Sequence, residues 1–386
     1  MAKTFLLDAE GVSARLRKQF RNQHRDWLAG GGRWPLLIPL GVPSEQQAER
    51  DLSVVKKWVT AWQNWQGAGE LVWIKRHWRK LGKQDLPEKL QLHTPDQVAS
   101  WIGEKARWQA AHNRYCEFVE RWPVLADKLS RYFSILADAS DCEIQKLVAV
   151  LSWLQANPDC QLYIRQLPIE GVDTKWIGNH KKLISELLAW LRGLDNEASD
   201  FYSITGIRRE PSRIRVRILD ADLRKLCGGL EDITAPLNEL KNLNFPVKRV
   251  YIVENIQTGL AFGDLSDAVV IMGLGYSVDL LKEIPWVKQS QCYYWGDIDT
   301  HGFAILNKAK ASLQNIESLL MNEETLLRYK GLWVREEKPS KARDVNSLND
   351  DERRMYQGLM ENKWGDQVRF EQERVSWAHA WGVICL

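Results

Sequence analysis

The sequence predicts a multi-domain α/β protein: a mostly helical N-terminal arm, a winged-helix-like middle domain and a C-terminal domain built on a Rossmann-like parallel sheet. Three observations predict it. A chain of 386 residues has the length of two or three domains. Apolar residues recur at helical spacing through the first half, and apolar strands alternate with helical segments in the last third. We place the domains at residues 1–120, 121–240 and 241–386.

The composition is that of an ordinary globular protein. Hydrophobic residues make up 45% of the sequence and charged residues 27%. There is no apolar run of about 18 residues or more, so we expect no membrane span. The 6 cysteines lie far apart and form no CxxC pair. This spacing argues against a zinc site or a disulfide framework and favours the reducing cytoplasm.

The predicted arm contains three helices and a short strand. Residues 4–26 have the pattern of an amphipathic basic helix, and Ser44 fits the N-cap of a second helix from about residue 45 to residue 66. Residues 71–74 are typical of a strand. Thr94 and Pro95 open a third helix, with proline at its first position, that runs to about residue 122.

The middle domain begins with two helices around an extended stretch. Residues 142–157 carry apolar side chains at helical spacing, and residues 162–169 are extended. Asp173 then fits the N-cap of another helix. A helix, a short strand and a helix in this order are compatible with a winged-helix module.

Basic side chains cluster on that last helix and around the strand that follows. The helix carries Lys175, His180, Lys181 and Lys182. These side chains either face phosphates or form a solvated helix face, and the sequence leaves both interpretations open.

The strand at residues 213–218 alternates strictly between arginine and apolar residues. Its period of two places one set of side chains on a single face, and two further arginines precede it. The arginines of this region are Arg208, Arg209, Arg213, Arg215 and Arg217. Because like charges at alternate positions repel, an anionic partner or acidic neighbours must lie opposite. We favour DNA phosphates as the partner, and an internal ion-pair ladder is the alternative.

The C-terminal domain has two strands that each end in carboxylates. Residues 248–253 are an apolar run that ends in Glu254, and residues 267–273 predict the next strand. A helix is expected from Ser277, as its N-cap, to residue 286. The aromatic strand at residues 292–294 leads into Asp297 and Asp299. Right-handed crossovers would bring the carboxyl ends of these parallel strands to one edge, where open α/β sheets bind ligands.

Three carboxylates at that edge predict a metal site. Asp297 and Asp299 are two apart on an extended segment and point the same way. They repel each other unless a cation lies between them, and Mg²⁺ takes oxygen ligands of this kind. An Asp-x-Asp pair alone is more often a turn or a helix cap. Its combination with Glu254, at the end of a neighbouring strand, makes the prediction specific.

Two more acids follow near the end of the sequence. A helix is expected to begin near residue 350, with Ser347 or Asn349 as its cap. If residues 368–375 form a strand, Glu371 and Glu373 share one face and are candidates for holding a second metal ion. A helix start or a solvated chain end is the alternative.

These motifs resemble a known family. Glu254 with Asp297-x-Asp299-x-x-Gly302 resembles the Toprim fold of topoisomerases, primases and related nucleases. Further segments are similar to the JetD family, the nuclease subunits of Wadjet plasmid-defence systems. They are Val253-Glu254-Asn255, Gly273-Leu274-Gly275-Tyr276, residues 294–303, Glu371-Gln372-Glu373-Arg374 and residues 171–177.

The resemblance implies a fold and an activity. The fold is that of the topoisomerase VI A subunit, a homodimer with an arm, a winged-helix-like domain and a Toprim domain. The protein would act with a condensin-like SMC motor complex, JetABC, and cut double-stranded plasmid DNA with Mg²⁺ or Mn²⁺. The metal residues carried over are Glu254, Asp297 and Asp299, and Glu254 is also a candidate general base.

Two rival functions remain at this stage. A topoisomerase-like transesterase needs a tyrosine nucleophile, and the tyrosines in or near the middle domain are Tyr115, Tyr132, Tyr163 and Tyr202. None lies in a motif that matches, so we favour direct hydrolysis with a metal-activated water. A non-catalytic DNA-binding scaffold with a degenerate Toprim core is the second rival, and the intact Asp-x-Asp motif argues against it.

Overall fold

The computed structural model describes residues 6–194 and 200–385. The chain divides into two compact units, Met1–Arg209 and Glu210–Leu386. The predicted domain boundaries at residues 120 and 240 both fall inside helices, within Lys105–Arg121 and Leu237–Lys241. Helices on both sides of residue 120 contribute to one hydrophobic core, which explains why the first unit does not divide there.

The N-terminal unit combines helices with a small antiparallel sheet. Its helices are α1 (Ala9–Leu28), α2 (Glu45–Arg50), α3 (Leu52–Gln63), α4 (Pro95–Ile102), α5 (Lys105–Arg121), α6 (Ala126–Leu129), α7 (Phe133–Asp138), α8 (Asp141–Ala156), α9 (Thr174–Arg192) and α10 (Phe201–Thr205). Its strands are β1 (Leu36–Pro39), β2 (Glu70–Trp78) and β3 (Gly82–Leu92), in the order β1-β3-β2.

Several elements of the arm differ from the prediction. Helix α1 begins at Ala9, after its cap Asp8, and residues 4 and 5 of the predicted helix lie outside the described residues. The helix predicted for residues 45–66 breaks at Asp51, although Ser44 caps α2 as expected. The short predicted strand is one half of a hairpin, because β2 pairs with β3. The charges and Pro87 of β3 conceal its strand character in the sequence.

The middle segment is helical. Among the described residues, no strand lies between β3 and residue 213, so the β wing of a winged helix is not seen there. The segment at residues 162–169, predicted to be extended, contains a 3-10 turn at Ile164–Gln166. The cap of α9 is as predicted, since Asp173 accepts a 2.7 Å hydrogen bond from the backbone N–H of Trp176.

The C-terminal unit contains a six-stranded sheet and a separate pair of short strands. Its strands are β4 (Arg213–Ile218), β5 (Asp232–Pro236), β6 (Arg249–Val253), β7 (Ala268–Met272), β8 (Gln291–Trp295), β9 (Ile316–Ser318), β10 (Val334–Arg335) and β11 (Val368–Arg369). Its helices are α11 (Ala221–Leu226), α12 (Leu237–Lys241), α13 (Ile256–Ala261), α14 (Pro285–Gln289), α15 (Thr300–Ser312), α16 (Glu323–Arg328), α17 (Asp350–Met360) and α18 (Trp377–Ile384).

Four neighbouring strands of this sheet are parallel, and the order of the sheet is β5-β4-β7-β6-β8-β9. Strands β7, β6, β8 and β9 are parallel, whereas β4 pairs antiparallel with both β7 and β5. The predicted parallel sheet is therefore the core of a mixed one. Every residue of β7 is buried, as expected for a parallel strand covered on both faces. Strands β10 and β11 form a separate antiparallel pair.

Three local predictions in this unit have mixed outcomes. The helix expected from Ser277 is wrong: residues Gly275–Glu283 are 3-10 and Pro285 opens the separate helix α14, because proline cannot continue the preceding turn. Asn349, one of the two predicted caps, forms a capping box with Glu352 at the start of α17. Only Val368–Arg369 of the predicted C-terminal strand is a strand.

None of the helices among the described residues combines the length and the apolar character that crossing a bilayer requires.

Candidate active site

The ends of β6 and β8 bring the predicted acids to one edge of the sheet. Val253 pairs with Trp295 in parallel register, so Glu254 and Gly296 occupy equivalent positions just beyond the two strands. The Glu254 backbone N–H donates to the Trp295 carbonyl at 3.4 Å. A Cβ built on Gly296 would lie 2.0 Å from Oε1 of Glu254. Glycine at this position therefore leaves the space that the Glu254 carboxylate fills.

Glu254 is held in a buried, anionic environment. The hydroxyl of Tyr294 donates a 2.5 Å hydrogen bond to its Oε1. Burial, followed by the charges of Asp297 and Asp299, raises the pKa of Glu254 to about 7, while the Tyr294 hydrogen bond lowers it. Close to neutral pH this carboxyl therefore exists in both the protonated and the ionised form.

Asp299 combines a structural role with its position in the site. It is the N-cap of α15, and its Oδ1 accepts a 2.7 Å hydrogen bond from the backbone N–H of Gly302. Burial, followed by the charges of Glu336 and Asp297, raises the pKa of Asp299 to about 6. The capping bond fixes the carboxylate, and only 4% of the residue is exposed.

Arg369 on β11 contacts both aspartates, a contact that no sequence motif predicted. Its Nη2 lies 2.8 Å from Oδ2 of Asp297, and its Nε lies 3.2 Å from Oδ2 of Asp299. One guanidinium therefore bridges the Asp-x-Asp pair. Ile298, between the two aspartates, forms an antiparallel bridge with Phe370, which positions the arginine beside them.

Gln372 joins the two strand ends. Its backbone N–H donates to Oδ1 of Asp297 at 2.8 Å, and its side-chain Nε2 donates to the Trp295 carbonyl at 2.7 Å. Its Oε1 accepts a 3.1 Å hydrogen bond from the backbone N–H of Asn255. This residue, 2% exposed, therefore fixes the loops that carry Glu254 and Asp297 relative to each other.

The two additional predicted acids do not share a strand face. Residues Gln372–Arg374 form a 3-10 turn, so Glu371 and Glu373 point in different directions. Oε2 of Glu371 accepts a 2.7 Å hydrogen bond from Arg374, and its Oε1 lies 3.7 Å from Arg369. Glu373 is exposed and accepts from the Asn255 side chain at 2.8 Å. Of the two, only Glu371 shares a contact with the Asp297–Arg369 cluster.

Glu336 is a further buried acid that the sequence analysis missed. It is 4% exposed and accepts hydrogen bonds from the Thr300 hydroxyl at 2.6 Å and from the Thr300 backbone N–H at 3.3 Å. The Thr300 hydroxyl in turn accepts from the backbone N–H of Ser340 at 2.6 Å. Glu336 therefore adds negative charge at the N-terminus of α15, next to Asp299.

The chemistry of these side chains suits a hard divalent cation. Glu254, Asp297 and Asp299 offer only oxygen donors, the ligands that Mg²⁺ prefers. Two of the three, Glu254 and Asp299, have pKa values raised by burial and then by neighbouring carboxylates. Among the residues that the structure describes, no three His, Cys, Asp or Glu side chains are arranged to hold a metal ion, and Arg369 lies against the aspartates instead. The donor chemistry therefore fits the metal, whereas the positions of the three carboxylates do not form a complete ligand set and Arg369 supplies the positive charge.

The arginines of β4 have acidic neighbours. Arg215 forms a bidentate ion pair with Asp232 on β5, at 2.6 Å for the closest atoms. Arg217 pairs with Glu231 and donates to the Leu260 carbonyl. Arg213 is exposed at the start of the strand. For two of the three arginines the geometry is therefore that of the ion-pair ladder, and the DNA contact of this strand remains a prediction.

Arg208 and Arg209, at the end of the N-terminal unit, lie close to aromatic rings. The guanidinium of Arg208 lies 4.8 Å from the ring centre of Tyr163, and that of Arg209 lies 4.7 Å from that of Tyr202. Arg209 also pairs with Asp200 at 2.7 Å.

The four predicted cations of α9 are placed differently from one another. Lys175 and Lys182 are exposed, and Lys182 lies 3.9 Å from Glu186. Lys181 donates to the Tyr202 hydroxyl at 3.1 Å. His180 stacks on Trp176 and lies 3.8 Å from Glu143. The helix face is therefore part solvated and part packed.

The candidate tyrosines differ in their hydrogen bonds. Tyr115 donates to the Ala126 carbonyl and Tyr132 donates to Glu186, and burial raises the pKa of both hydroxyls. Both are therefore poor nucleophiles. The Tyr202 hydroxyl instead accepts from Lys181, and Tyr163 lies beneath Arg208.

The C-terminal unit is thus an α/β domain with a carboxylate site at the carboxyl ends of its parallel strands. Residues 206–384 match the family described as Wadjet protein JetD, C-terminal. Residues 9–189 match an N-terminal family, DUF3322, described as an uncharacterized protein conserved in bacteria. Residues 206–384 therefore form a JetD-family C-terminal domain. No curated protein matches the sequence.

Proposed function

We propose that this chain is a metal-dependent DNA endonuclease that hydrolyses phosphodiester bonds at a Toprim-type site. The observation that carries the proposal is the meeting of Glu254, Asp297 and Asp299 at the carboxyl edge of parallel strands. Two of these carboxyls, Glu254 and Asp299, have pKa values raised by burial and by neighbouring acids. Such groups cluster at functional sites, because a purely structural position would favour neutral or fully paired side chains.

Each of the three residues has a distinct role in this proposal. Asp297 and Asp299 hold Mg²⁺ or Mn²⁺, with their carboxylates oriented by Gln372 and by the α15 cap. Glu254 would complete the ligand set, and its carboxylate is also the candidate base for the attacking water. When bound, the cation supplies Lewis-acid stabilisation of the charge that develops on the phosphate. Glu371 is the candidate for a second metal, because it shares the contact with Arg369.

The family assignment supports a wider role. We infer that the protein is the nuclease subunit of a Wadjet system, works as a homodimer in the cytoplasm and cuts double-stranded plasmid DNA. Its partner in this proposal is a condensin-like SMC motor complex, JetABC. DNA would be positioned by contacts to its backbone, without base readout, through exposed cations such as Arg208, Arg213, Lys175 and Lys182.

Plasmid cleavage with and without the motor complex tests this function. The full chain is assayed in Mg²⁺, in Mn²⁺ and in EDTA, and the ends of the products are analysed. We expect metal-dependent cutting with free ends and none in EDTA. Glu254→Gln should abolish cutting, whereas Glu317→Gln, an exposed acid on β9, should cut like the wild type. Equal cutting by wild type and Glu254→Gln would refute the assigned site.

One observation favours the transesterase as a second candidate function. Lys181 donates to the Tyr202 hydroxyl at 3.1 Å, and Arg209 lies over its ring. The oxygen of this tyrosine is thus held by a basic side chain, and a tyrosine oxygen is the nucleophile that a transesterase uses. Protein bound covalently to the cut 5′ ends, lost in Tyr202→Phe, would establish this route. A metal titration with no binding would instead favour the non-catalytic DNA-binding scaffold.

A further inference from the structure

Arg369 is the one basic side chain that contacts both aspartates of the site in the described residues. Its Nη2 lies 2.8 Å from Asp297 and 3.7 Å from Glu371. Its Nε is buried and lies 3.2 Å from Asp299 but forms no hydrogen bond in the described residues. Electrostatic attraction therefore holds the guanidinium next to Asp299, because its hydrogen bonds to the two aspartates are incomplete. An ideal bidentate arginine–carboxylate pair would use both nitrogens in hydrogen bonds.

The charge of Arg369 does not balance the site. A single positive charge faces Asp297 and Asp299, with Glu254, Glu336 and Glu371 around them. A divalent cation placed at the same carboxylates would interact with twice the charge, and at shorter distances. A metal ion that approaches Oδ2 of Asp297 and Oδ2 of Asp299 meets the guanidinium charge on the same two atoms, so the two cations repel each other there. The two cations therefore compete.

The arginine also has a route away from the aspartates. Its side chain is 39% exposed, so the guanidinium can move into solvent by rotation about its own bonds. The backbone is held by the pairing of β11 with β10 and by the Ile298–Phe370 bridge. Release of the side chain therefore leaves the backbone contacts of Gln372 and Phe370 in place.

We propose that Arg369 is a tethered cation, which occupies the acidic site of the metal-free chain and leaves Asp297 and Asp299 when a divalent cation binds. Metal binding and release of the guanidinium are then one coupled equilibrium. This inference rests on the proposed metal-dependent function. Arg369 then competes with the metal ion from within the same chain. This competition lowers the apparent affinity for metal, so a higher metal concentration is needed to fill the site.

The test is direct Mn²⁺ binding to the full chain without DNA, measured from the electron paramagnetic resonance signal of free Mn²⁺. Arg369→Gln should bind Mn²⁺ more tightly than the wild type, on the order of 10-fold. Arg335→Gln is the matched control. Arg335 lies on β10, pairs with Asp366 at 3.1 Å and is 67% exposed, away from the aspartates. It should bind Mn²⁺ like the wild type.

The outcomes separate this inference from the proposed function. If the wild type binds Mn²⁺ and Asp297→Asn does not, but Arg369→Gln binds with unchanged or lower affinity, the tethered cation is refuted and the metal site stands. If neither the wild type nor Arg369→Gln binds Mn²⁺, both the tethered cation and the proposed metal site are refuted.

Circular dichroism checks the fold of each variant. Should Arg369→Gln not fold, Arg369→Lys decides the question. Its ammonium keeps the charge but lacks the second contact, so its affinity should exceed that of the wild type. Affinity at or below the wild-type value would overturn the inference.

Discussion

The Tyr294 hydroxyl donates a 2.5 Å hydrogen bond to Oε1 of Glu254 from the neighbouring parallel strand. Burial, followed by the Glu254 charge, raises the pKa of the tyrosine well above its usual value, so it remains a donor throughout the working pH range. The bond favours the ionised carboxylate, whereas burial and the two aspartates favour the protonated form. The balance of these effects sets how readily Glu254 accepts a proton.

Replacing this donor should shift the pH dependence of cleavage. In Tyr294→Phe the carboxylate loses its hydrogen bond, so the pKa of Glu254 rises further above about 7. A hydrogen bond to a charged group contributes about 1.5 kcal/mol or more, which corresponds to roughly one pH unit. We expect the acidic limb of the rate–pH profile to move to higher pH by that amount. Tyr293→Phe, a ring stacked on Tyr251, is the control and should leave the profile in place.

The metal-free chain should lose stability as the pH rises from about 4.5 to about 7. The pKa of Glu254 is about 7 when folded, against a model-peptide value of 4.5. Above pH 4.5 the unfolded chain releases this proton while the folded chain keeps it. The stabilisation is therefore complete below that pH and lost by pH 7 and above. Thermal unfolding in EDTA should show this loss, about 1 to 3 kcal/mol, in the wild type. A profile for Glu254→Gln as steep as the wild-type one would contradict the assignment.

Two substitutions of Asp299 should separate its capping role from its charge. Asparagine keeps an oxygen that accepts from the Gly302 N–H, whereas alanine does not. Both variants should fail to cut DNA, because both lack the carboxylate. At pH 7.5 without metal, Asp299→Asn should be at least as stable as the wild type, since it removes a poorly compensated charge. Asp299→Ala should be about 1 kcal/mol less stable than Asp299→Asn in denaturant unfolding. Equal stability of the two variants would mean that the cap contributes nothing.

Gly296→Ala should disable the site through the position of Glu254. The new Cβ would lie 2.0 Å from Oε1 of Glu254 and 2.8 Å from the Tyr294 hydroxyl. The carboxylate must move, so Mn²⁺ binding and cleavage should be lost, while the hydroxyl contact weakens. Gly382→Ala is the matched control, because its Cβ meets open space within α18. It should retain cleavage and melt at the same or a higher temperature. Normal Mn²⁺ affinity in Gly296→Ala would show that Glu254 does not hold the metal.

The sequence allowed prediction of the strands that carry the acids, because the signals are local. An apolar run that ends in Glu254 and an aromatic run that leads to Asp297 each place a carboxylate at a strand end, and the structure brings both to one edge. The strict alternation of residues 213–218 likewise predicted β4. Whether the arginines of that strand meet phosphates or acids depends on β5, whose pairing partner the local pattern does not define.

The residues that organise the site could not be found in this way. Arg369 and Gln372 lie 72 and 75 residues beyond Asp297, and Glu336 reaches Thr300 across 36 residues. Each of these residues is brought to the site by the pairing of short segments whose sequences have no strong periodicity. The predicted continuous strand at residues 368–375 also concealed the 3-10 turn that separates Glu371 from Glu373. Long-range pairing, rather than local propensity, decided these outcomes.

The distance along the chain between Asp297 and Arg369 has a consequence for biosynthesis. The arginine is translated 72 residues after the aspartate. At roughly 5 to 20 residues per second, the ribosome needs about 4 to 14 s to cover that interval. During this time the nascent polypeptide carries all three acids but neither the arginine nor the glutamine that orders them. The three carboxylates therefore lack the contacts that order them until synthesis of the domain is nearly finished.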